Sequence, residues 1–135
     1  MKKYFVLLTF IIILLILSNC TLNKYSDENI KRNYSTNAKI FNKIVEDFIN
    51  KNEITEYCVF SDNIPDDLKS DLEKLDVQCV YVRKTDKNSN LYIKFTLFGF
   101  ADSECGIIYD ENITNRTHFD SLIKIEKDWY IYRDD

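Results

Sequence analysis

Apolar positions change their spacing three times along the chain. They run unbroken from Tyr4 to Leu17 apart from Thr9, recur at one, three and four between Ile40 and Ile49, and alternate with polar positions from Leu91 onward. Each spacing predicts a different element. In "AKIFNKIVEDFINKNE" the residues Ile40, Phe41, Ile44, Val45, Phe48 and Ile49 form a wide apolar stripe, with Lys39, Lys43, Glu46 and Lys51 elsewhere. That pattern predicts an amphipathic helix, capped at Thr36 or Asn37. Its polar side carries both charge signs, so the stripe reads as packing on a sheet and not as lying on lipid.

"ITEYCVFS" then predicts a strand and "NIPDDLKSDLEKLD" a second helix, with Pro65 in the first turn and Asp66 and Asp67 where the helix dipole favours anions. Ile64, Leu68, Leu72 and Leu75 give its apolar side, and "VQCVYVR" is the next strand. Strand, short helix and strand in succession predict a βαβ-like unit. Beyond the polar turn "KTDKNSN", "LYIKFTLFGF" puts Leu91, Ile93, Phe95 and Leu97 on one face and Tyr92, Lys94 and Thr96 on the other. "ECGIIYD" follows, then the loop "ENITNRTH". "SLIKIEKDWYIY" closes as a hairpin turning at Lys127-Asp128, with Ile123 and Ile125 toward the core.

The predicted fold class is thus α+β: an N-terminal amphipathic helix, a βαβ-like unit, then an antiparallel β-meander ending in a hairpin, all in a single domain over residues 38–135. Residues 20–37 hold scattered hydrophobes without a sustained period, which predicts a flexible tether. As a coil, the 17 residues 21–37 span roughly 20–25 Å.

The unbroken run belongs to a leader. Lys2 and Lys3 precede 14 charge-free residues, Tyr4 to Leu17. As a helix that run covers about 21 Å, short of the roughly 30 Å hydrocarbon core, so residues 1–19 read as a signal peptide. It ends in Leu17-Ser18-Asn19-Cys20, an aliphatic residue, two small ones and a cysteine. This resembles the lipobox of bacterial lipoproteins, with Asn19 where Gly or Ala is usual. The resemblance implies a diacylglycerol thioether on Cys20, removal of residues 1–19 and a cell-envelope location on a membrane. Thr21 at the next position implies the outer membrane in a Gram-negative cell. A plain secreted or periplasmic protein is the competing reading.

Composition narrows the partners. Two lysines leave with the leader, so 16 basic residues face 22 acidic ones, a net charge of −6. A domain of that sign is repelled by phosphate backbones, which argues against nucleic acid. With Cys20 assigned to lipid, Cys58, Cys79 and Cys105 remain, and Cys58 with Cys79 is the candidate disulfide. No C-x2-4-C pair predicts a metal site, and nothing in the sequence implies a cofactor. His118 is the sole histidine. A cysteine-dependent hydrolase built on Cys105 and His118 is the enzymatic alternative, but Cys105 follows Asp102 and Glu104 and lacks the electropositive setting a thiolate needs. No Gly-rich phosphate loop, H-E-x-x-H or G-x-S-x-G occurs, so the chain reads as a non-enzymatic binding module. Its candidate interaction surface is aromatic, made of Tyr92, Phe98, Phe100, Tyr130 and Tyr132, and a protein partner of inhibitor or immunity type is one concrete form of the expectation.

Overall fold

The computed structural model describes residues 24–84, 89–100, 103–113 and 119–134, together with Thr9, Ile11 and Ile12. Cys20 and His118 lie outside the described residues. Helix α1 runs from Asp27 to Ile49. Ser26 is its N-cap, accepting from the Asn29 N–H at a long 3.4 Å, and Asp27 and Glu28 sit at the positive end of the helix dipole. The helix therefore begins well before residue 38, and the tether expected up to residue 37 is corrected from Asp27 onward. The reason is burial, since Ile30 and Tyr34 are only 1% and 2% exposed. They continue the stripe of Phe41, Ile44, Val45 and Phe48 upstream at helical spacing. Asn37, expected as a cap, instead forms a kink inside α1 (φ −115°, ψ 16°), where its Nδ2 donates to the Asn33 carbonyl at 3.2 Å.

After α1 come β1 (Glu53–Cys58), α2 (Asp66–Lys74), β2 (Cys79–Lys84), β3 (Tyr92–Phe100), β4 (Ser103–Asp110), β5 (Ser121–Glu126) and β6 (Trp129–Asp134). The strands form one six-stranded sheet in the order β1-β2-β3-β4-β6-β5, and every neighbouring pair is antiparallel. The expected α+β arrangement is corrected. From residue 24 onward the described residues are mostly antiparallel sheet with one long and one short helix, and they contain no βαβ unit, because β1 and β2 run in opposite directions. Cys58 stands directly opposite Cys79 in that pair and the two are joined by a disulfide. Closing a loop of 21 residues' separation contributes on the order of 3 kcal/mol in the chain-entropy account.

Both helices cover one face of the sheet. Phe41 meets Phe95 edge-on at 5.1 Å and Trp129 at 5.8 Å, while Tyr34 lies 5.0 Å from Trp129. Leu72 and Leu75 bring α2 into the same core, and Lys43 of α1 binds Asp71 of α2 at 2.6 Å. Each fully buried side chain of this kind stabilises by roughly 1.5–3 kcal/mol, so packing and not helix propensity holds α1 in place. A register shift between Thr96 and Phe98 breaks the alternation of β3, and Leu97 and Phe98 both join the helix-side core. On edge strand β5, Ile125 packs on the core whereas Ile123, expected to face it, stays 40% exposed. The opposite face carries a second, smaller cluster of Tyr92, Ile108 and Tyr132, covered by Ile113 and Phe119.

Three tyrosines give this packing a pH signature. Burial, aided by its bond to Glu126, raises the Tyr34 phenol; burial raises Tyr132; and burial beside Glu111 pushes Tyr109 up to about 12. The unfolded chain releases these protons near pH 10 while the folded one keeps them, so stability falls as pH rises above about 10. Absorbance at 295 nm during an alkaline titration should show these tyrosinates appearing late, together with unfolding. Simple ionisation of all tyrosines near pH 10 in a chain that stays folded contradicts this.

Candidate functional site

A cleft of about 390 Å³ opens beside the first turns of α1. Its construction starts with the segment ahead of the helix. Arg133 of β6 donates through Nε to Asp27 Oδ1 at 2.8 Å and through Nη2 to the Tyr25 carbonyl at 2.6 Å, tying that segment to the sheet. The Tyr25 ring rests 5.2 Å from Phe98, which the irregularity in β3 has turned to this side.

One wall is a stripe of asparagines. Asn29, Asn33 and Asn37 recur every four residues and so share one helix face. Asn33 Nδ2 donates to the Leu75 carbonyl at 2.8 Å, satisfying a backbone acceptor at the end of α2. Asn37 Nδ2 donates to Asn33 Oδ1 at 2.7 Å, and Arg32 Nη2 donates to Asn29 Oδ1. Thr36 completes this wall, and Ile30 and Leu97 supply its apolar surface.

The facing wall is Asp76. Helix α2 ends with the Val77 N–H bonded to the Leu72 carbonyl at 2.9 Å and the Asp76 N–H to the Glu73 carbonyl at 3.2 Å. That pairing puts Asp76 in the left-handed region (φ 58°), a place where glycine is the least strained choice. Its carboxylate meets Lys24 at 2.6 Å, and this hydrogen bond raises the Lys24 pKa above its ordinary value. An exposed pair of this kind stabilises by no more than about 1 kcal/mol. Two cations, Lys24 and Arg32, and one carboxylate line the cleft. It is locally positive in an acidic domain.

Chemically the site offers guanidinium, ammonium, carboxamide and hydroxyl groups over an apolar surface, in a volume suited to a small ligand. Its lining holds no cysteine, histidine or serine.

None of the described residues expected to form a site lines this cleft. Tyr92 and Tyr132 are 4% and 0% exposed, with Ile113 and Phe119 packed against them, so these two members of the expected aromatic surface are corrected to a cross-strand packed cluster. Tyr130 is half-buried on that same face, Phe98 lies on the helix side, and the Phe100 side chain is outside the described set. Cys105 is buried in the helix-side core. Glu56 approaches Cys58 and Cys79 closely enough to complete a ligand triad, but both sulfurs are bonded to each other. The signal for the cleft was the four-residue spacing of asparagines, within a stretch read as tether. No family model, no curated protein and no solved structure matches the chain.

Proposed function

We propose that this chain is a small envelope lipoprotein, a non-enzymatic binding module held on a membrane by lipid on Cys20, with the cleft at the start of α1 as its binding site. The observation that carries the reading is Leu17-Ser18-Asn19-Cys20 at the end of an apolar run too short to span a bilayer. Sulfur is required there as the nucleophile that takes the diacylglycerol. Each buried methylene then contributes about 0.8 kcal/mol, and two or more chains hold where one is marginal. Among the described residues no helix is long and apolar enough to cross a membrane. The hydrolase reading loses ground because the Cys105 thiol sits in the core, away from any substrate.

Intact mass of the native protein extracted from membranes tests the proposal. It should report a chain beginning at Cys20 with an acylated glyceryl group, and Cys20→Ser should abolish that mass. A full-length chain still carrying Met1, free in the cytosol, or a secreted chain without lipid, rejects it.

A further inference from the structure

We infer that the cleft docks the zwitterionic headgroup of a phospholipid, phosphate against Lys24 and Arg32 and ammonium against Asp76, an inference that rests on the lipid at Cys20. Distance is the first argument. Only three residues lie between Cys20 and Lys24, four steps of the chain with a reach of at most about 14 Å. The polar layer of one bilayer leaflet is about 5–8 Å deep. Lys24 lines the cleft, so an acylated Cys20 keeps this wall of the cleft within about 14 Å of the headgroup layer.

Charge is the second. The domain repels an anionic surface as a whole, yet at physiological salt charges act over about 8 Å, so the sign that a headgroup meets is that of the cleft lining. Lys24 and Arg32 suit a phosphodiester, Arg32 through its planar fork. Among the described residues the Arg32 guanidinium is bonded only to Asn29. The carboxylate of Asp76 suits an ammonium. A headgroup carrying both charges exchanges with the Lys24–Asp76 pair, ion for ion. Affinity is the third. A short leash presents its target at millimolar effective concentration or above, so a weak site is filled.

The test uses the full acylated chain in nanodiscs of two compositions, phosphatidylethanolamine with phosphatidylcholine, or phosphate-free galactolipid. The side-chain amide signals of Asn29, Asn33 and Asn37 should shift in the phospholipid discs only. Arg32→Gln with Asp76→Asn should remove the shift, and Lys31→Gln, on an exposed position outside the cleft, should leave it. Equal spectra in both discs overturn the inference, as does a shift that survives the double variant. Inorganic phosphate at 10 mM reproducing the whole shift in galactolipid discs also overturns it, since a free anion then suffices. Intact mass on the same sample separates this inference from the anchor. An acylated chain with unmoved carboxamides rejects the docking alone, whereas an unacylated chain whose carboxamides shift with added phospholipid discs rejects the anchor and retains the docking.

Discussion

Replacing Gly106 with alanine should lower the unfolding free energy by about 3 kcal/mol or more, at the upper end of overpacking effects. Gly106 on β4 stands between Thr96 of β3 and Tyr132 of β6. A Cβ built there would lie 1.9 Å from the Phe95 carbonyl oxygen and 3.0 Å from Tyr132 Cε1. The first contact is backbone, and no rotamer relieves it. Relief of the second would carry the Tyr132 ring away from Thr96, whose Oγ1 lies 3.0 Å from the Tyr132 hydroxyl in a buried bond. Losing that bond adds about 1 kcal/mol. Gly99→Ala is the control, because its nearest neighbours stand at 3.6 and 3.8 Å, ordinary contact distances. Urea unfolding at unchanged slope should show a large drop in midpoint for Gly106→Ala and almost none for Gly99→Ala. Equal midpoints for the two variants contradict the packing described for this face.

Periodicity identified the elements better than it placed them in space. The stripe from Ile40 to Ile49 and the strands around Phe95 and Trp129 were legible because each buries one side of a regular repeat. Direction was not legible. A strand, a helix and a strand have the same pattern whether the strands run parallel or antiparallel, and the register from Glu53 opposite Lys84 to Cys58 opposite Cys79 distinguishes them. Residues 27–37 misled because five of them, Asn29, Asn33, Ser35, Thr36 and Asn37, are poor helix formers that usually mark caps and turns. Two buried side chains, Ile30 and Tyr34, outweigh that local preference and carry the stripe of Phe41 to Phe48 upstream through the kink at Asn37. Tyr92 and Tyr132 were misplaced on the surface for a different reason. Alternation correctly puts Tyr92 and Thr96 on one face, but it carries no information about Ile113 and Phe119 folding over that face, nor about the irregularity that turns Phe98 the other way. The cleft was hidden with the helix that forms its wall.

Amide hydrogen exchange across residues 30–37 tests most directly whether this stretch belongs to the folded body. From Ile30, whose N–H donates to the Ser26 carbonyl at 2.9 Å, the amides should exchange about a thousandfold or more slower than in a free chain, in step with Phe41 to Phe48. Exchange of this stretch at free-chain rates, with residues 38–49 still protected, would restore the long tether and dismantle the cleft.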